Sequence, residues 1–209
     1  MNFSLNEMEA TAKRAARGAG YGWGQAEEAS KATRWLCQQG LDGAGTLAQF
    51  LQLELAKSLM THHPGNIEGP WQAEHTLCPL ITGPLMSDVA HKLMANPIEM
   101  RNVASPALLL PFACNAARTL QTVVTVKIND IQALTDGTHL MAPDRFPTTA
   151  EKVVVSQGGE LSAPRKKYTR AHPAKQDWQL LNRLAHLTYA PATEESRRLG
   201  AGAGSLDND

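Results

Sequence analysis

Arg17, Trp23, Glu27 and Glu28 fall within one stretch, RAARGAGYGWGQAEEASKATRWL at positions 14–36, and their side chains suit chemistry on a small anion. A guanidinium can fork two hydrogen bonds onto a carboxylate or phosphate, which makes Arg17 a substrate-binding candidate with Trp23 as the wall beside it. Glu27 and Glu28 are catalytic candidates, because a carboxyl in a partly closed joint can be raised enough in pKa to pass a proton. An arginine next to either one pushes the other way. The same residues would also serve as caps and interhelical ion pairs, which contribute little when exposed.

A second set stands at the other end, in TEESRRLGAGAGSLDND at positions 193–209. Successive glycine N–H groups can form a nest for an anion. Ser196, Arg197, Gly202 and Gly204 are therefore further substrate-binding candidates. Ser196 is the weaker nucleophile because no base lies near it in sequence. An inert frayed tail is the plain alternative. If ordered, the tail is expected beside the Gly18–Gly24 joint or across a partner subunit.

These groups need a helical hairpin to hold them. Leu5, Met8, Ala12, Ala15 and Ala19 recur at helical spacing, Ser4 with Glu7 reads as a capping box, and Gly18 to Gly24 break the run. The second helix is expected from Gln25 or Ala26, with Glu27 and Glu28 in its first turn. Gly40 closes it. Residues 46–60 predict a third helix capped by Thr46, with Leu47, Phe50, Leu51, Leu55 and Leu59 on its inner face. A turn-rich loop follows over 62–71.

Beyond that loop the pattern becomes strand-like. A short strand over 77–81 and a helix over 84–94 are expected, then strands at 98–101, 106–113, 121–128 and 151–156, with a hairpin turning at Thr135-Asp136-Gly137. A last helix is expected over 175–188. The fold class is α+β: an N-terminal helical hairpin plus third helix, followed by a mostly antiparallel sheet and a C-terminal helix. The expected organisation is one domain over 1–209, helical over 1–60, strand-rich over 98–160, and closing over 175–209 with a helix and a glycine-rich tail.

Bulk properties exclude several functions. Twenty basic and twenty acidic residues leave no net charge, so neither nucleic acid nor an anionic membrane is an expected partner. The local basic run of Arg165, Lys166, Lys167, Arg170 and His172 reads as a solvated loop. Three cysteines without paired spacing point away from zinc knuckles and disulfide frameworks. His62, His63, His75 and Cys78 have suitable metal-ligand chemistry but no motif spacing, and no metal is expected. There is no dinucleotide fingerprint and no P-loop, so no cofactor is expected either. No secretory signal or membrane-spanning run is visible, and the cytoplasm is the expected compartment.

The segment at 14–36 and the terminus PATEESRRLGAGAGSLDND together resemble DUF3726, an uncharacterised bacterial family of unknown function. The resemblance implies that Arg17, Gly18, Gly20, Trp23, Gly24, Glu27 and Glu28, with Thr193, Glu194, Ser196, Arg197, Gly202 and Gly204, form its signature. It implies no activity. From the residues themselves the expectation is a small soluble enzyme, or a catalytic partner subunit, acting on a small anionic metabolite. A noncatalytic assembly protein, homo-oligomeric or bound to a partner chain, and a metabolite-binding regulatory module are the alternatives.

Overall fold

The computed structural model describes residues 1–189. Helix α1, Leu5–Gly18, begins as its sequence predicts: the Ser4 hydroxyl accepts from the Glu7 amide at 3.1 Å and the Glu7 carboxylate accepts from the Ser4 amide at 2.8 Å. Its inner face buries Leu5, Met8, Ala12 and Ala15. The chain then turns through Gly20, whose φ of 100° is open only to glycine at low cost.

Helix α2, Trp23–Gln38, starts earlier than expected because Gly22 takes the extended cap conformation. Glu27 and Glu28 are thereby moved out of the first turn, which holds no acidic residue. Helix α3 is Gly43–Leu51. Its cap is Asp42, accepting from the Gly45 amide at 2.9 Å, whereas Thr46 lies inside the helix and donates back to the Asp42 carbonyl at 2.7 Å. The expected single helix to residue 60 breaks at Glu54, at φ 54°, and resumes as a 3-10 helix, Leu55–His62. Leu55 stays buried across the break, so the apolar spacing fits either path.

Two further expectations are corrected. Leu77 bridges Val103 in parallel, but residues 79–81 open helix α4, Pro79–Asp88, because a proline at the first helical position costs no hydrogen bond. The run 106–113 is helical, with a 3-10 turn Pro106–Leu109 leading into α5, Leu110–Leu120. A continuous apolar run buried on all sides reads the same for a helix and a strand.

The sheet is antiparallel throughout. Strands β2 (Ile98–Ala104), β3 (Val124–Ile128), β4 (Ile131–Thr135), β5 (Leu140–Met141) and β6 (Thr149–Gln157) lie in the order β2-β6-β3-β4-β5. Val153 sits opposite Met100 and Ile128, and Val155 opposite Ile98 and Val126, which lines one buried face. Lys127, Lys152 and Arg101 stand exposed on the strands between. Helix α5 covers β3 and β4. A two-stranded ribbon joins β1 (Phe3–Ser4) to β7 (Arg170–Ala171), and helix α6, Lys175–His186, returns against α1. The architecture is α+β as expected. No helix among the described residues is long and apolar enough to cross a membrane.

The turn after β4 carries a pH-sensitive contact. Asp136 accepts from the Thr138 amide at 2.8 Å, the His139 amide at 2.6 Å and the His139 ring at 2.9 Å. Partial burial pushes its carboxyl up, but these hydrogen bonds outweigh it and hold the pKa at about 2, below the ordinary 3.8. A carboxyl lowered on folding adds stability above its unfolded value, and that stability is lost as the pH falls from about 3.8 through about 2. Asp136→Asn is expected to flatten this acid limb and to cost about 1 kcal/mol or less at neutral pH, because the side chain is partly exposed. Urea titrations at several acid pH values will show it.

Candidate functional site

The α1–α2 joint separates the residues that its sequence groups together. Arg17 donates to the Tyr21 carbonyl at 2.5 Å, and its guanidinium lies 4.5 Å from the ring centre of Trp23, which is 70% exposed. Glu27 points elsewhere: it pairs with Lys13 and lies 3.7 Å from Lys31, while Glu28 is 3.6 Å from Lys31. The hydrogen bond from Lys13 holds the Glu27 carboxyl below its usual range, so it stays ionised and weakly basic. Arg14 donates to the Tyr189 hydroxyl at 2.7 Å, which brings the end of the described chain to the side of α1. Ser196, Arg197, Gly202 and Gly204, like Thr193 and Glu194, lie outside the described residues.

His62 and His63, after α3, have protein partners. His62 is buried with Nδ1 2.8 Å from the Thr76 carbonyl and Nε2 3.3 Å from the Ser58 hydroxyl. Cys78 Sγ is 4.0 Å from the Tyr21 hydroxyl. Among the described residues no three His, Cys, Asp or Glu side chains are grouped to hold a metal ion.

The basic run at 165–172 is a strap rather than a free loop. Arg165 donates to the carbonyls of Gln39 (2.9 Å), Gly40 (3.2 Å) and Ala142 (3.0 Å) and to Asp144 (2.8 Å). The Tyr168 amide donates to the Gln38 carbonyl at 2.8 Å. The strap thus crosses the turn between α2 and α3 and leaves a cleft on either side of Leu41 and Asp42. One cleft, of about 430 Å³, is walled by Cys37, Asp42, Arg170 and His172. The other, of about 350 Å³, is walled by Asp42, Thr46, Ser105, Asp144, Arg145 and Thr148 among others, so two carboxylates stand in it with one guanidinium. Asp42 belongs to both.

The electrostatics at this junction are mixed. Arg145 forms no ion pair among the described residues. Asp177, in the first turn of α6, is raised above the ordinary aspartate range, first by burial and then by the charge of Asp42. A carboxyl shifted in that direction is suited to proton transfer.

Ser105 has the least ordinary backbone of the cleft residues. It joins β2 to the helical run after it at φ 39° and ψ 59°, in the left-handed region, and is 5% exposed. Its hydroxyl makes no cap bond to the helix that follows. Sequence reasoning passed over it because the following residues were expected to form a strand. Ser-Pro at the end of a strand was the available turn signal.

Residues 3–79 match the family model of DUF3726, a protein of unknown function. The match includes α1 to α3, the Arg17–Trp23 stack and the Asp42 turn, and it ends before β2. The resemblance at the C-terminal stretch lies beyond it. Ser105, Arg145 and the strap also fall outside the DUF3726 segment. No curated protein and no solved structure matches the chain.

Proposed function

We propose that this protein is an enzyme acting on a small metabolite that carries a carboxylate or phosphate, held in the clefts flanking Asp42. The observation that carries the reading is the meeting of two clefts at one aspartate, with Arg145 on the wall of the second as an arginine lacking a carboxylate partner among the described residues. Arg145 seats the anion, and Thr46, Gln49 and Thr148 supply neutral hydrogen bonds. Asp42, which lines both clefts, takes the proton-transfer role with the Asp177 carboxyl near it, since Glu27 is held ionised by Lys13 and Glu28 faces Lys31. The three cysteines are free and buried, which fits a cytoplasmic setting.

A panel of carboxylate and phosphate metabolites screened by thermal shift tests this reading. A ligand at about 100 times its Kd adds about 2.7 kcal/mol of stability. Arg145→Ala is expected to weaken the responding ligand about tenfold or more, because it removes a charge-assisted contact, while Arg17→Ala leaves the response in place. A response lost with Arg17→Ala and Glu27→Ala but kept in Arg145→Ala would move the site back to the helical joint. Turnover of the responding ligand, followed by mass spectrometry, separates an enzyme from a regulatory binder.

A second reading, an assembly protein, is favoured by Trp23. An indole 70% exposed with an arginine stacked on it has the composition of an interface anchor. Light scattering would then give a mass above one chain that falls to one chain in Trp23→Ala.

A further inference from the structure

We infer that the stretch 190–199 of this chain docks in cis on the α1–α2 joint, with Glu194 and Glu195 paired to Arg14 and Arg17 and Leu199 set against the Trp23 indole. The inference goes beyond the cleft reading above and does not depend on it.

Arg14, Arg17 and Gly18 share one side of α1 at helical spacing. Around them stand three large apolar side chains, Trp23, Leu187 and Tyr189, each more than half exposed over the described surface. The three are gathered at one place. Arg17 stacks on Trp23 at 4.5 Å, Arg14 lies 5.8 Å from the ring centre of Tyr189, and the Leu187 Cβ is 3.4 Å from where a Gly18 Cβ would stand. A single exposed apolar side chain needs no explanation, whereas a contiguous group rimmed by charge marks a contact surface.

The charge on this face has one sign to spare. Neither Arg14 nor Arg17 forms an ion pair among the described residues. Arg17 donates to the Tyr21 carbonyl and Arg14 to the Tyr189 hydroxyl, which leaves most of each guanidinium's donors for something else. The occupant that fits is an apolar segment carrying carboxylates.

The chain supplies one at this spot. The described residues end at Tyr189, on the edge of the face, and the first charges beyond it in sequence are Glu194 and Glu195. Five extended residues reach about 17 Å, and Arg14 and Arg17 are less than one helical turn of about 5 Å apart. Both carboxylates therefore come within range of both guanidiniums. A tether this short keeps the segment at an effective concentration in the millimolar range, which favours it over a free partner of similar composition. Arg197 and Arg198 are repelled by the same face, which sets the register: the glutamates over α1, and Leu199 past them at the indole.

Acrylamide quenching of the full chain tests the docking, with the Trp23 contribution taken as the difference from Trp23→Phe. The described surface alone would leave Trp23 open to quencher, so the expected result is a quenching constant well below that of free tryptophan. Glu194→Lys with Glu195→Lys leaves every described contact in place. It is expected to shift the ratio of covered to open Trp23 about tenfold towards open, because two exposed ion pairs become repulsions, with the melting temperature unchanged. Arg14→Glu with Arg17→Glu should open the indole as well, and the four substitutions together should restore its protection. Trp23 quenched as freely in the wild type as free tryptophan, or equally protected in the lysine variant, overturns the docking, and failure of the charge swap to restore protection overturns the pairing. Light scattering on the same samples should give the mass of one chain. A larger mass whose fall on dilution takes the protection with it means that a second copy covers the face, which overturns docking in cis and favours the assembly reading.

Discussion

Gly18→Ala is expected to lower stability by about 3 kcal/mol, although alanine is favoured over glycine in helices by about 1 kcal/mol. The reason lies across the interface and not within α1. A Cβ at Gly18 would run into the Leu184 carbonyl of α6, standing 2.8 Å from its carbon, with Leu187 Cβ at 3.4 Å. The obstacle is backbone, which no rotamer change can move, so α6 must slide as a body. That shift would also draw Tyr189 away from Arg14 and disturb Asp177 at the far end of α6. Urea denaturation should show a lower midpoint with the slope unchanged. A variant as stable as the wild type would mean that α6 does not approach α1 this closely.

Trp71→Ala should cost about 3–5 kcal/mol, the range for deleting a fully buried large aromatic. Trp71 is 1% exposed, and it ties the loop after the 3-10 helix to the outer strand of the sheet. Its amide donates to the Glu99 carbonyl at 2.7 Å, its carbonyl accepts from the Arg101 amide at 2.9 Å, and its indole donates to the Ile67 carbonyl at 3.3 Å. A surface cleft adjoins it, lined by Ile67, Lys92 and Glu99 as well, so water can enter part of the void and the lower end of the range is expected. The strand it secures, β2, is the one that leads into Ser105 and the second cleft. Loss of Trp71 should therefore weaken ligand response as well as stability. A loss under about 1 kcal/mol would mean that the loop closes over the void.

What could be read from the residues was what is decided locally. The Ser4–Glu7 box, the glycine break after α1, the β-branched runs of β3 and β6, and the Asp136-Gly137 turn each carry their own signal within a few positions. The Pro106–Leu120 helix does not. Its start is apolar on every side, and only burial between the sheet and α4 decides its backbone. The cap of α3 was misplaced because Asp42 and Thr46 are both good caps, and the choice depends on where α2 releases the chain.

The candidate site was less legible for the same reason. Arg17, Trp23, Glu27 and Glu28 are near in sequence, but helical phase sends Glu27 to Lys13 while Arg17 curls back to the Tyr21 carbonyl. Asp42, Ser105 and Arg145 are far apart in sequence and carry no spacing motif. They meet only because the strap at 165–172 and the turn after β2 converge on the end of α2.

The order of the strands sets a timetable for a chain emerging from the ribosome. β2 finds its partner in β6, so Ile98 waits for Val155, and translation at about 5–20 residues per second makes that an interval of seconds. The β3–β4 hairpin can close on its own in the meantime. Phe3, just before α1, pairs with Ala171 of β7, far along the chain. The N-terminal segment that matches DUF3726 is thus fastened at its outer end only when nearly all of the described chain has been synthesised.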